Sequence, residues 1–542
     1  MMNRPRHRMA ATLLVVVLLG LSSAAGSAQA QTYQGINGSG STWSGNAVAQ
    51  WVADVKNVGM RVDYGSIGSS QGRLQFAQKL THFGVTEIPY GIKDQLTGNT
   101  DSSQGRPFAY MPIVAGGTSF MYHLKKGGQL VRNVRLSGAT ITKIFSGQIT
   151  NWSDPAITAD MNGQALPSKK IIPITRSDGS GTSAQFTKWM AEQHGGIWKH
   201  GMTSYFPQIP GAVAKGSSTD MAQYISAQYG EGAIGYVEYS YARAQNYPVA
   251  KVLNGAGYFT EPTDSNVAVA LQAAKIDKSD PNNPATYLTQ DLSGVYVYND
   301  KRTYPLSSYS YMILPTSVDG KINEQTGFTL GAFAYYFLCQ GQQKAGPLGY
   351  SPLPLNLVQA GYEQVHKIPG AEKKSLDATG CNNPTFDPSN PGSNKLASTA
   401  PMPPDCDKTG QGPCGAGGAG GPGGGNGGGA GGGAGGAGGA AGGGAGGGAD
   451  GAGGTGDPNN PDGGPQIDPI TGEPIGAGGG DGAGSGASGV ATELAANRSS
   501  TNTMLGVLAA VELVLVLVVP AIVARTVSRR RAARAAQEGT SS

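Results

Sequence analysis

Apolar residues at helical spacing recur behind loops rich in Gly, Ser and Thr. Asn37 to Trp43 precedes Ala47, Val48, Trp51, Val52 and Val55, a stripe that predicts an amphipathic helix. Val62-Asp63-Tyr64 reads as a short strand, after which Gly65 to Gly72 leads into Leu74, Ala77, Gln78 and Leu80. Arg176-Ser177-Asp178-Gly179-Ser180-Gly181-Thr182-Ser183 opens onto Phe186, Trp189 and Met190, again at i, i+3 and i+4. Short apolar runs at Met111 to Ala115 and Ser119 to His123 predict strands, and Thr140 to Phe145 predicts a helix. Beyond Lys373 the periodicity is lost among Asn-Pro and Asp-Pro turns, and glycine repeats run from Gly415 to Gly456. No Gly-X-Y register with frequent proline persists, so the expectation is a flexible linker and not collagen.

Both ends of the chain carry a different pattern. Arg4, Arg6 and Arg8, an apolar run from Ala10 to Leu21 and Ala28-Gln29-Ala30 predict a secretory signal peptide over residues 1–30, cleaved near Gln31. Met504 to Ala524 has about the ~20 apolar residues that a membrane span needs, and Arg525, Arg529, Arg530, Arg531 and Arg534 follow it. The expected topology is a domain outside the membrane, one span over 504–524 and a basic cytoplasmic tail over 525–542. Glu512 within the span is costly there and points to a partner or to snorkelling. No Leu-Pro-x-Thr-Gly precedes the span, which disfavours wall sorting. About 90 residues after Cys414 would reach roughly 50 Å as a flexible tether.

Charge adds little once it is apportioned. The chain of 542 residues has a formal net charge of +4, but both termini are basic, and removing them leaves about −2 on the exported part. A basic face for nucleic acid is not expected. Cys339, Cys381, Cys406 and Cys414 lie late in an exported chain, where disulfides persist. Three pairings are possible, and proximity in sequence favours Cys339 with Cys381 and Cys406 with Cys414. Their spacing does not suit a zinc ribbon, the six His are scattered, and neither a metal nor a cofactor is expected.

The Gly/Ser/Thr loops carry the chemistry. A helix start offers unpaired N–H groups and the positive end of a dipole, and hydroxyls and a forked guanidinium add donors suited to an oxyanion. One such loop is ordinary helix punctuation. Three in one chain suggest a shared anion site.

In this order the motifs resemble those of PstS-type phosphate-binding proteins, the extracytoplasmic receptors of ABC phosphate importers. The resemblance runs from about Tyr33 to about Leu357 and rests on Gly38 to Trp43, Ile67 to Gly72 and Arg176 to Thr182, supported by Asn151 to Ile157 and Gly232 to Tyr239. It implies an α/β fold of the type II periplasmic-binding-protein class, with two hinged lobes. Lobe I would comprise residues 31–110 and 309–373, lobe II residues 111–308, and residues 374–503 would be linker, with a return to lobe I near Tyr309 to Leu314. It also implies inorganic phosphate as ligand, ABC permease subunits as partners and no catalysis. The ligand would be held by Ser41, Thr42, Trp43, Ser69, Arg176, Ser180, Gly181 and Thr182, with Asp178 orienting Arg176.

One residue departs from the family pattern. Where the family has an aspartate, Phe83-Gly84-Val85-Thr86-Glu87-Ile88-Pro89 has Glu87. An ionised carboxylate only accepts hydrogen bonds, so it rewards hydrogen phosphate, which donates, over sulfate, which does not. Glu87 keeps that chemistry with one methylene more of reach. The alternatives are a binder or sensor of another oxyanion such as sulfate or arsenate, and a phosphoesterase with Ser180 as nucleophile. Against the latter, Asp178 to Thr182 lacks the Gly-x-Ser-x-Gly form and no base is placed near it in sequence. Tyr236, Tyr239 and Tyr241 are expected to pack the core and hinge.

Overall fold

The computed structural model describes residues 32–414. The segments read as signal peptide, glycine tract, membrane span and basic tail lie outside the described residues. Among the described residues no helix is long and apolar enough to cross a membrane.

In the first lobe, β1 (Ile36–Gly40) runs parallel between β2 (Val62–Ser66) and β3 (Phe83–Thr86). Strands joined by helices pair in parallel and bring the loops at their C-terminal ends to one edge of the sheet. The helices that follow β1 and β2 are α1 (Gly45–Lys56) and α2 (Ser69–Ala77). The apolar stripe of α1 is buried as its spacing predicts, and Trp51 stacks on Phe337 at 4.9 Å.

The strand β4 (Phe108–Tyr122) is buried along its whole length, as expected when both faces of a sheet are covered. It replaces the two short strands expected at 111–115 and 119–123. Gly116 and Gly117 do not interrupt it. They admit large neighbours, since a Cβ at Gly116 would stand 2.7 Å from the Trp43 ring and one at Gly117 would stand 2.4 Å from Pro262. Here β4 changes partners: Gly116 and Gly117 pair with Ser308 and Ser307, whereas Thr118 to Tyr122 pair with residues Glu238 to Ile234. The change of partners thus falls between Gly117 and Thr118, inside β4 and not at residue 110.

The second lobe contains α3 (Gly138–Phe145), β5 (Ile172–Arg176), α4 (Gly181–His194), β6 (Val213–Lys215), α5 (Ser218–Ser226), β7 (Ala233–Glu238) and β8 (Val249–Leu253). β7 pairs antiparallel with β4 and parallel with β5, and β5 runs parallel to β6. The chain then comes back beside β3 as β9 (Ser307–Pro315), which pairs with both β3 and β4. α6 (Glu324–Leu338) and α7 (Leu355–Val365) complete that lobe.

The expectation of an unstructured linker from residue 374 is corrected for residues 374–414. Cys381 is bonded to Cys339, and the Asn383 amide and Thr385 hydroxyl donate to the Leu353 carbonyl at 3.1 and 2.8 Å, all in the first lobe. Farther on, Arg302 donates to the carbonyls of Ala397 and Ala400, and Arg135 to those of Cys406 and Gln411 at 3.0 and 2.7 Å. Lys251 pairs with Asp407 at 2.7 Å, and Cys406 is bonded to Cys414. The segment thus runs from one lobe onto the other. Hydrophobic periodicity misses it because its few buried apolar residues, Phe386, Ala397 and Ala400, are scattered without helical or strand spacing, and disulfides and bonds to backbone carbonyls hold the rest.

Candidate functional site

Both halves of the sheet present strand ends to the cleft between the lobes. On the first lobe, Ser41, Thr42 and Trp43 form the turn between β1 and α1, Ser69 is the first residue of α2, and Glu87 follows β3 directly. All five are buried. The Ser41 hydroxyl accepts from the Trp43 N–H at 3.0 Å. The Trp43 indole points away and donates to Thr118 at 3.1 Å, on the second-lobe half of β4.

On the second lobe, Arg176 ends β5, Ser180 caps α4, and Gly181 and Thr182 begin that helix. The Ser180 hydroxyl accepts from the Ser183 N–H at 3.2 Å. Asp178 holds Arg176 by two points, Nε to Oδ1 at 2.6 Å and Nη2 to Oδ2 at 2.5 Å, which leaves Nη1 directed at the Ser218 hydroxyl at 3.3 Å. This fixes a guanidinium that is 2% exposed. Thr182 Oγ1 is buried and has no hydrogen-bond partner among the described residues.

Glu87 joins the two walls. Its carboxylate accepts from the hydroxyls of Ser41, Ser69 at 2.7 Å and Ser310 at 3.0 Å. Burial pushes its carboxyl above the ordinary value of 4.5, while the three hydroxyls and the charge of Arg176 pull it back only in part. A Cβ on Gly181 would stand 2.1 Å from Glu87 Oε2 and 2.6 Å from Ser69 Oγ, so the start of α4 lies against the carboxylate. Thr42 and Ser218 hydroxyls meet across the cleft at 2.9 Å, the Ser70 N–H donates to the Gly179 carbonyl at 3.0 Å, and the Gln185 amide donates to the Glu87 carbonyl at 2.8 Å.

All nine expected ligand-holding residues therefore lie at the meeting of the lobes, with Asp178 beside Arg176. Four helix starts converge there, those of α1, α2, α4 and α5. The fourth was missed, although Lys215-Gly216-Ser217-Ser218 before Met221, Ala222 and Ile225 shows the same signal as the other three. Ser310 was also missed, and nothing local marks it, because a serine within the apolar strand β9 gains its role only from lying opposite Glu87. Tyr236 does more than pack: its hydroxyl receives the Arg176 N–H at 3.1 Å and lies 2.8 Å from the Ser183 hydroxyl. Tyr241 donates to the Thr42 carbonyl and Tyr64 to the Ser41 carbonyl at 2.8 Å, so tyrosines from both lobes fix the first turn. The arrangement gathers hydroxyls, helix-start N–H groups and a guanidinium around one buried carboxylate, the chemistry suited to an oxyanion that carries a proton. No cluster of three or more His, Cys, Asp or Glu suited to a metal ion occurs among the described residues.

Known proteins resemble this chain over its first two thirds. Residues 25–340 match the PBP superfamily domain. Phosphate-binding protein PstS 2 of Mycobacterium tuberculosis is 31% identical over 343 residues, covering 62% of this chain and 87% of that protein. Phosphate-binding protein PstS of Haemophilus influenzae is 30% identical over 330 residues, covering 60% of this chain and 90% of its own length. A solved high-affinity periplasmic phosphate-binding protein with bound phosphate is 18% identical, with a TM-score of 0.49, over 63% of this chain and 100% of that one. That last likeness is too distant to add to the family match.

Proposed function

This chain belongs to the PBP superfamily and, within it, to the PstS phosphate-binding proteins, and we propose that it captures inorganic phosphate outside the cytoplasmic membrane and delivers it to an ABC import system. It is a receptor and not an enzyme. The observation that carries this reading is the placement of Glu87, a buried acceptor among three hydroxyls, facing Arg176 and the start of α4. Hydrogen phosphate can give this carboxylate a further proton beside the three hydroxyls it already accepts from, whereas sulfate, which carries none, can meet it only as a second anion. Ser41, Thr42, Trp43, Ser69, Arg176, Ser180, Gly181 and Thr182 are the donors on this reading, and Asp178 holds Arg176 in line. Ser180 serves as a helix cap, in keeping with binding and not nucleophilic attack.

Delivery requires that the receptor stay near its permease. The apolar segment 504–524 with the arginines after it supports a single-pass anchor, with the binding domain outside, the glycine tract as tether and residues 1–30 as the export signal. Calorimetric titration of the purified chain with phosphate, arsenate and sulfate tests the ligand. Phosphate is expected to bind and sulfate to bind far more weakly, and the absence of phosphate binding would refute the reading. Retention of the chain in washed membranes, lost on truncation before Met504, tests the anchor.

A further inference from the structure

The loop between β3 and β4 is built onto the first lobe. Gly91 N–H donates to the Asp101 carbonyl at 3.0 Å, Arg73 of α2 pairs with Asp101 at 2.6 Å, and Tyr90 is tied at its N–H to the Tyr110 hydroxyl and at its own hydroxyl to the Arg73 carbonyl. At its tip sits Asp94, 9% exposed. The segment after α4 is built onto the second lobe, where Thr203 and the Thr187 hydroxyl exchange two hydrogen bonds of 2.9 Å.

Asp94 spans the gap between these two pieces. Its Oδ1 takes the local N–H groups of Leu96 and Thr97 at 3.1 and 3.0 Å. Both of its oxygens also accept from the Thr203 hydroxyl, at 2.9 and 3.0 Å, and Oδ2 accepts from the Ser204 N–H at 2.7 Å. The adjoining Gln95 N–H donates to the Met202 carbonyl at 2.9 Å. The Ser204 carbonyl in turn accepts from the Ser180 N–H at 2.9 Å. One peptide thus links a first-lobe carboxylate to the loop that starts α4.

We propose that Asp94 is a latch that sets phosphate affinity: it grips Thr203 and Ser204 when the lobes meet, and through Ser204 it holds the Ser180 loop against the ligand. This rests on the phosphate-binding reading. Asp94 touches no ligand atom, so it is a positioning residue. Its bonds across the cleft exist only with the lobes together, so its loss acts on release and not on capture or on the open fold. A hydrogen bond to a charged group contributes enough that its loss in the closed state speeds release roughly tenfold or more.

The test compares the full-length wild type with Asp94→Asn, using inorganic phosphate and stopped-flow tryptophan fluorescence. Asparagine keeps Oδ1 for the local turn but sets an amide N–H₂ against the Ser204 N–H. The expected result is a dissociation rate raised roughly tenfold, an unchanged association rate and an unchanged Tm in the absence of phosphate. Thr203→Val removes a donor from the opposite lobe and is expected to raise the dissociation rate in the same direction. Unchanged release in Asp94→Asn, with the wild type binding normally, overturns the latch alone. So does a Tm lowered equally with and without phosphate, which would mark a structural role. A wild type that does not bind phosphate overturns both the latch and the function it rests on.

Discussion

Ser69 Oγ and Glu87 Oε2 lie 2.7 Å apart, so the first residue of one helix donates to the carboxylate that follows the neighbouring strand. The bond exists because β1, β2 and β3 run parallel and end at one edge, which places the start of α2 beside the end of β3. It joins a donor typical of anion sites to an acceptor that most anions would avoid. On the proposed function, the preference for a protonated oxyanion follows from that pairing.

Glu87→Gln preserves shape while exchanging an acceptor for a donor. Phosphate affinity is expected to fall roughly ten- to a hundredfold, and sulfate affinity to hold or rise, because the carboxylate no longer excludes an unprotonated ligand. Calorimetry with both anions measures the change, and an unaltered ratio of the two affinities would remove Glu87 from selectivity.

The raised carboxyl of Glu87 has consequences for pH. Between the ordinary value of 4.5 and its raised value the folded chain holds more protons than the unfolded chain, so the contribution of Glu87 to stability falls as pH rises through that window. Preference for phosphate over sulfate moves the other way and grows as pH rises, because only the ionised form accepts the ligand proton. Tm in phosphate-free buffer and competition binding, each followed from acid to neutral pH, read the two trends. Glu87→Gln is expected to remove its share of both.

Gly181→Ala would place a methyl group 2.1 Å from Glu87 Oε2. Overpacking of this kind costs about 1–3 kcal/mol, and here it falls on closure, because the crowding atoms belong to the other lobe. Phosphate affinity is expected to drop roughly ten- to a hundredfold with Tm in phosphate-free buffer unchanged. A matching loss of Tm would place the clash in the fold itself.

Asp407→Ala removes the partner of Lys251, whose side chain is 14% exposed against 4% for Asp407. Leaving one charge of a buried pair alone costs about 3 kcal/mol, so thermal unfolding is expected at a clearly lower temperature. Replacing both members with apolar residues is expected to recover much of that loss. If the single variant unfolds like the wild type, the Lys251–Asp407 pair adds nothing to stability.

The elements were legible wherever a helix start is written locally. The turns before Ala47, Leu74 and Phe186 each place small and hydroxyl residues directly ahead of an apolar stripe, and α1, α2 and α4 begin there. The same reading applied to Ser217 and Ser218 would have found α5. It failed at Gly116 and Gly117, where glycine serves a neighbouring tryptophan and proline and not a turn. It failed again beyond Lys373, where scattered apolar residues such as Phe386 and Ala397 are buried without a regular period and Asn, Thr, Arg and cysteine contacts add to them.

What the sequence by itself determined is the three Gly/Ser/Thr loops opening helices and Arg176 with Asp178 two residues on, while the roles of these residues and of Glu87 toward a ligand rest on the family resemblance. Such features depend on neighbours in the chain, because capping and dipole effects act within one helical turn. The tertiary structure alone decided that Ser310 meets Glu87, that Ser218 meets Thr42 and Arg176, and that Asp94 reaches Thr203 and Ser204. Those partners stand far apart in the chain, and a hydroxyl or carboxylate carries no local mark of the group that strand order and lobe closure will bring within hydrogen-bond distance of it.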